Sequence, residues 1–336
     1  MTNPLPWTSL HAQVHQTLRQ QHLLLKGQRI LIAVSGGKDS LCMAQLLLDL
    51  QSRWEWQLAI AHCNHRWHAA ADAAADAVRS LATAWQIPYH VAVAEPPPTS
   101  EAAAREWRYQ QLGAIAQAEG YEVVVTGHTA SDRAETLLYN LIRGSGIDGL
   151  QALAWQRSLA PEVKLVRPLL GVTRRETAQF CQERQLQVWE DPTNQDMSYA
   201  RNRIRLELLP YLQQHFNPQI ETTLAQTAEL LRADVHFLES SANNLWQDST
   251  LLNVDLSAPP RINRQVLQRA SLALQRRALR QFLQQHLPTS PTFADVEKVV
   301  ALITAPNRSQ TDPFPGGAIA RVEDEWIALV SSSETT

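Results

Sequence analysis

The stretch Arg29-Ile30-Leu31-Ile32-Ala33-Val34-Ser35-Gly36-Gly37-Lys38-Asp39-Ser40-Leu41-Cys42-Met43-Ala44 decides the fold. Its first six residues form the apolar run that a buried parallel strand needs; a glycine turn follows, and then a helical apolar pattern. Two adjacent glycines permit a sharp turn and a close backbone approach to an anion. Asp39 and Ser40 fall in the first helical turn, where free N–H groups and the positive end of the helix dipole favour phosphate. A Walker A loop is excluded, because Lys38 is followed by Asp39 rather than by Ser or Thr. Ser35, Gly36, Gly37, Lys38, Asp39 and Ser40 are therefore read as a phosphate-binding loop. The competing reading is an ordinary Gly/Ser-rich strand-to-helix turn.

Working outward, further β-rich runs occur at 58–61, 89–93 and 123–126, with a weaker fifth at 165–167. Helical patterns lie between them at 41–50, 69–85, 101–119 and 133–142. This alternation predicts an α/β fold: a doubly wound, parallel, five-stranded sheet with its site at the carboxyl ends of the strands. Polar residues stand at those ends: His62-Cys63-Asn64-His65 after the second strand and Gly127-His128-Thr129-Ala130-Ser131-Asp132 after the fourth. Residues 191–199 read as a polar loop. From about Asn217 the pattern is helical (220–246, 263–286, 293–303), with one or two short strands near the end. The expected domains are 1–214, catalytic, and 215–336, smaller and mainly α-helical.

Composition narrows the function classes. No apolar run approaches the roughly 20 residues of a membrane span, and the N-terminus lacks a signal-peptide layout, so a cytoplasmic protein without a membrane partner is expected. Cys42, Cys63 and Cys181 are far apart and form no C-x-x-C, which argues against disulfides, zinc ribbons and iron–sulfur clusters. The net charge of −3 gives no global basic field, but arginines cluster at 201, 203 and 205 and again between 261 and 280. Such clusters suit phosphate or RNA, with solvated helix faces as the bland alternative.

Asp132 and Glu135 stand three apart at a helix start and so share a face. They can hold an ammonium group or help bind Mg²⁺. Equally, Asp132 as N-cap with Glu135 at N3 would make a capping-box-like pair. The spacing alone leaves both open. His62, His65 and His68 lack the further ligands a zinc site wants and are read as a strand-end loop beside nucleotide or RNA. Trp67 and Trp107 are potential base-stacking surfaces.

Ser35–Ser40 resembles the pyrophosphate loop of the N-type ATP pyrophosphatases (PP-loop class). With G-H-x-x-x-D-x-x-E-T at 127–136 and R-G-S-G at 143–146, the chain is similar to the tRNA(Ile)-lysidine synthetases. The likeness includes E-x-x-A-R-x-x-R-Y at 101–109, Arg167-Pro168-Leu169-Leu170, Trp189-Glu190-Asp191-Pro192-Thr193-Asn194 and Tyr199-Ala200-Arg201-Asn202-Arg203-Ile204-Arg205. The arginine-rich helix at 264–286 and Pro315-Gly316-Gly317 resemble the family's substrate-binding domain. Departures are the loop His62–His68, usually H-x-N-H-G-L-R, and Ser131 and Arg133, where D and Q are frequent. The chain also ends where longer members carry an extra domain.

The resemblance implies a ligase that uses ATP and Mg²⁺. Oxygen two of the wobble cytidine in the CAU anticodon of tRNA(Ile) attacks the α-phosphate, pyrophosphate leaves, and L-lysine displaces AMP to give lysidine. It implies ATP contacts from Ser35 to Ser40 with His62 and His128, Mg²⁺ on Asp39, and Asp39, Asp132 and Glu135 as catalytic residues. Asp132 would accept the amine proton and Glu135 would orient the rest of the lysine. Arg105, Arg108, Arg201 and Arg205 are expected at phosphate or adenylate, and Arg276, Arg277 and Arg280 on tRNA. The rival readings are a tRNA thiolase of the same class and a non-catalytic nucleotide- or RNA-binding module.

Overall fold

A computed structural model of the chain describes residues 7–67, 71–189, 192–250 and 259–331. By internal contacts the chain divides into two compact units, Met1–Leu231 and Arg232–Thr336. The division falls inside a helix, where the sequence offers no composition change to mark it, whereas the expected boundary followed the change of pattern near 215.

The first unit runs α1 (Ser9–Gln20), β1 (Arg29–Ala33), α2 (Lys38–Trp54), β2 (Gln57–Asn64), α3 (Ala71–Ala84), β3 (Tyr89–Val93), α4 (Glu101–Glu119) and β4 (Val123–Thr126). It continues through α5 (Ala130–Ile142), α6 (Ile147–Leu150), β5 (Gln156–Ala160), β6 (Val163–Val166) and α7 (Arg174–Glu183). A π-helical turn, Ile204–Leu208, joins α8 (Ala200–Arg203) to α9 (Leu209–His215), and α10 (Ile220–Thr250) begins in this unit.

The strand order is β3-β2-β1-β4-β6-β5. The five strands expected from the sequence are present and parallel. The count is corrected to six, because β5 pairs antiparallel with β6 at the sheet edge. Gln156-Arg157-Ser158 at its start is polar and exposed, so this edge strand carries no apolar signature.

Ile30 and Ile32 of β1 pack with Leu58, Ile60, Val123, Val125 and the α2 residues Leu41, Leu46 and Leu47. Leu31 points to the opposite core, with Ala59, Ala61, Val124 and the α4 residues Leu112 and Ala116. Both faces of β1 are thus dry beyond the exposed Arg29, which is why Ile30–Ala33 is unbrokenly apolar. Since β2 and β3 extend the sheet to one side of β1 and β4 begins the other, the topological switch point lies between β1 and β4. In doubly wound sheets a ligand crevice opens there.

The second unit contains β7 (Arg261–Asn263), α11 (Arg264–Gln268), α12 (Leu272–His286), α13 (Phe293–Leu302) and the hairpin β8 (Ala318–Glu323) and β9 (Trp326–Ser331). One helix was expected over 263–286; the structure has two, with Ser271 starting the second. Phe282, Leu279, Leu283, Val299, Phe314, Val322 and Ile327 form its core. Among the described residues, no helix is long and apolar enough to cross a membrane.

Candidate active site

β1 delivers Ser35 to the switch point, and Gly36 turns the chain at φ +90°, a left-handed conformation that favours glycine. Gly37 then caps α2 without any side-chain hydrogen bond, leaving the first-turn N–H groups without a capping side chain. Ser40 staples the loop: its hydroxyl donates to the Gly37 carbonyl at 2.9 Å and accepts from the Ser35 N–H at 3.2 Å. Across the switch point, Gly127 presses backbone to backbone. A Cβ there would sit 2.8 Å from the Asp39 carbonyl oxygen and 2.9 Å from the Ser40 nitrogen, so only glycine fits.

The β2 end supplies His62, whose Nδ1–H donates to the Val34 carbonyl at 2.8 Å; burial lowers its pKa, against the pull of that bond. The β4 end supplies His128, whose Nδ1 bonds to the Thr126 hydroxyl at 2.9 Å. Burial pushes His128 down to about 3, with Asp132 opposing, so it is a neutral imidazole.

At the start of α5 the cap differs from the expected one. Thr129 is the N-cap and Asp132 is N3; Asp132 Oδ2 accepts from the Thr129 N–H and hydroxyl, both at 2.7 Å. Glu135 takes no part in the cap. Instead both carboxylates turn to Arg174, the first residue of α7. Asp132 Oδ1 accepts from Arg174 Nη2 at 2.5 Å, and Glu135 accepts from Nη1 and, at 3.3 Å, from Nη2. Asp39 joins the cluster, with Oδ2 3.4 Å from Arg174 Nε and Oδ1 accepting from the Thr177 hydroxyl at 2.5 Å.

The electrostatics follow from this cluster. Burial works to raise Asp132, but Arg174, His128 and the Thr129 N–H outweigh it and hold the carboxyl at about 2. Burial raises Glu135 despite Arg174, and raises Asp39 despite the Thr177 hydroxyl. Arg174 loses to burial but gains more from the carboxylates, so it stays charged.

A cavity of about 550 Å³ brings these parts together. Ser35, Gly37, Lys38, Asp39, Ser40, His62, His128, Asp132, Arg108 and Arg205 all line it, together with Arg174, Trp67, Trp189 and Gln195. Arg205 and Leu206 reach it from the π-helical turn, a local distortion common at functional sites. Gly36, Glu135, Arg105 and Arg201 are not in its wall. Arg105 lies over the Tyr109 ring, while Arg201 lies over Tyr139 and 3.8 Å from Glu101. In the second unit Arg276 forms a bidentate pair with Glu297 at 2.7 and 2.9 Å, and Arg277 lies 4.0 Å from Glu239; Arg280 is exposed.

Among the described residues, no three His, Cys, Asp or Glu side chains converge on a metal position. His62 is committed to backbone, His65 packs against Trp67 and Trp107, and His68, with Glu190 and Asp191, lies outside the described residues. Asp39 remains able to meet Mg²⁺, an ion that keeps several waters and leans on substrate phosphates with only one or two carboxylates.

Two site residues escaped the sequence reading, Arg174 and Thr177. The signal was there: Thr173-Arg174-Arg175-Glu176 is a T-x-x-E box, and the Thr173 hydroxyl and Glu176 carboxylate do cap α7. Ser131 and Arg133 also gain a reason. Ser131 bonds to Glu221, and the buried Arg133 pairs with Glu229 while lying over Trp155, so both fasten α5 to the first turns of α10.

With that geometry in hand, comparison is decisive. A PP-loop domain family matches residues 7–212, and a TilS substrate binding domain matches 263–326. A tRNA(Ile)-lysidine synthase from Nostoc sp. is 60% identical over 96% of this chain and 97% of its own length. The chain belongs to the tRNA(Ile)-lysidine synthase family. The Synechocystis sp. member is 51% identical over 97% of this chain and 99% of its own, and a chloroplastic member from Zygnema circumcarinatum is 36% identical over 89% and 81%. A U34-tRNA thiolase from Methanococcus maripaludis, solved with its 4Fe–4S cluster, superposes at TM-score 0.57 and 20% identity over 66% of this chain and 77% of that one, a likeness of fold. The PP-loop match precedes the substrate-binding match, the order of the expected fold class.

Proposed function

We infer that this chain ligates L-lysine to position two of the wobble cytidine in the CAU anticodon of tRNA(Ile), consuming ATP and releasing AMP and pyrophosphate. The observation that carries the reading is the single cavity in which an uncapped helix N-terminus and an anchored carboxylate cluster meet across the switch point. The two halves match the two needs of the chemistry. The α2 N-terminus, Lys38 and Ser35–Ser40 cradle the triphosphate and stabilise the charge that develops as pyrophosphate departs. When bound, Mg²⁺ supplies further neutralisation there, and Asp39 is the residue to hold it.

Cytidine oxygen two forms a bond to the α-phosphorus as the bond to pyrophosphate breaks. The ε-amine then bonds to carbon two, and AMP leaves with the C–O electron pair. Asp132 faces the cavity and, held ionised by Arg174, attracts the lysine ammonium. Asp132 is also placed to accept the amine proton, the role the resemblance implies. Glu135 acts from outside the wall, by fixing Arg174. Arg108 and Arg205 serve phosphate or adenylate from within the cavity, while Arg105 and Arg201 serve RNA phosphate at its margin. The second unit, through Arg276, Arg277 and Arg280, grips tRNA. A cytoplasmic setting fits a tRNA substrate.

The thiolase reading lacks its chemistry here. Burial pushes the Cys63 thiol up to about 12 and that of Cys181 up to about 11, the opposite of an activated thiolate. The test is product analysis with tRNA(Ile) transcript. AMP and pyrophosphate must appear in a tRNA-dependent reaction, and lysidine only when lysine is added. Release of ADP with orthophosphate overturns the reading.

A further inference from the structure

Arg174 is the cation on which Asp39, Asp132 and Glu135 all converge, and it lines the cavity. Its own position is over-determined. The capping box Thr173–Glu176 fixes the start of α7, and the Arg174 N–H donates to the Ser131 hydroxyl on α5 at 3.1 Å. The next turn of α7 sends the Thr177 hydroxyl to Asp39. Helices α2, α5 and α7 are thereby joined through one side chain. Of the two carboxylates on α5, only Asp132 faces the cavity, and its two oxygens have separate tasks: Oδ2 closes the cap, while Oδ1 is aimed by Arg174.

We propose that Arg174 is a positioning residue for the lysine step, holding Asp132 Oδ1 pointed into the cavity while Glu135 holds Arg174. This rests on the assignment of Asp132 to lysine made above. A carboxylate has about four acceptor sites; Asp132 uses three, two for the cap and one for Arg174, which leaves one for the amine. The opposing arrangement makes Arg174 a stand-in for the ammonium that substrate must displace. It is disfavoured because displacement would break contacts to three carboxylates on two helices.

The experiment uses the full chain with tRNA(Ile) transcript and separates the two steps. Adenylylation is followed as transfer of labelled AMP from ATP to tRNA without lysine. The second step is followed as AMP release from that adenylylated tRNA against lysine concentration. Arg174→Ala is expected to raise the KM for lysine by roughly 10–100-fold, the usual effect of losing an orienting partner, with a smaller change in kcat and in adenylylation per folded molecule. Added guanidinium ion should recover part of the loss. Arg174→Lys, which keeps the charge but not the fork, should fall between parent and Arg174→Ala, and it carries the test if Arg174→Ala does not fold. A lysine KM that falls identifies a displaced stand-in and overturns the proposal; so does an equal loss in both steps, or an unchanged KM in both variants. A parent chain that adenylylates tRNA but ignores lysine overturns the functional reading itself.

Discussion

Asp132 and Asp295 occupy the same place in the same motif, one in each unit. Each is N3 of a helix capped by a threonine, and each accepts from that threonine's N–H and hydroxyl, at 2.7 and 2.7 Å for Asp132 and at 3.0 and 2.7 Å for Asp295. Exposure does not separate them usefully, since the side chains are 21% and 11% accessible. The other oxygen does. Asp132 Oδ1 meets Arg174 from another helix at 2.5 Å, beside a cavity, whereas Asp295 Oδ1 has Lys298 of its own helix at 3.7 Å. Capping and function are therefore not rival readings of a carboxylate, because one oxygen can serve each.

The largest effect expected from breaking the cavity side of this comparison is that of Gly127→Ala. Its methyl would have to push the Asp39–Ser40 backbone away from β4, and misplacement of reacting groups by 1 Å costs about 100-fold in rate. Gly146→Ala, where nothing lies within 4 Å and the φ of −67° suits alanine, should leave pyrophosphate release unchanged. Equal rates for the two variants would dissolve the distinction between switch point and surface.

Acid unfolding sharpens the comparison next. Asp132 is depressed from an ordinary 3.8 to about 2 in the fold. A depressed carboxyl stabilises the protein above its unfolded value, and that contribution disappears as pH falls through the folded one. The parent should lose about 2 kcal/mol between pH 4 and 2 from this group, a limb that Asp132→Asn lacks. Asp295→Asn should keep it. Urea titrations across that window read the difference.

In the second unit, replacing Arg276, Arg277 and Arg280 by glutamine should flatten the salt dependence of tRNA binding by about one unit per lost phosphate contact. The loss should fall short of three contacts, because Glu297 pairs with Arg276 and Arg277 is largely buried beside Glu239. An unchanged slope would make this face a solvated one. Smallest of all, Asp295→Asn should cost less than about 1 kcal/mol in melting experiments and leave the lysine KM untouched.

Much of this was legible in the sequence. Strands buried on both faces read as apolar runs, so β1, β2 and β4 were visible, as was the loop between β1 and α2; half-exposed β3 showed by its valines and tyrosine, and β6 more weakly. Edge strand β5 was not, because a half-exposed strand of Gln, Arg and Ser looks like loop. The phosphate side of the site is local in sequence and could be read directly. The carboxylate side is not: Arg174 sits 42 residues from Asp132, and only the packing of α7 beside α2 brings it there. A T-x-x-E box announces a helix start but not what its first residue will touch. The same limit hid the partner of Glu135, which accepts from Arg174 and is not among the residues lining the cavity.

The most direct test of the account is the lysine dependence of Asp132→Asn set beside Asp295→Asn, each measured on preformed adenylylated tRNA(Ile) and normalised to folded protein. Asparagine keeps an acceptor oxygen for the cap and removes the charge. Loss of a charge partner from a largely desolvated ammonium costs about 3–5 kcal/mol, roughly two to three and a half decades of affinity. Asp132→Asn is therefore expected to adenylylate tRNA and then stall at low lysine, while Asp295→Asn proceeds like the parent. Lysidine formation by Asp132→Asn at the parental rate and parental lysine concentration would reduce Asp132 to a helix cap and contradict the account.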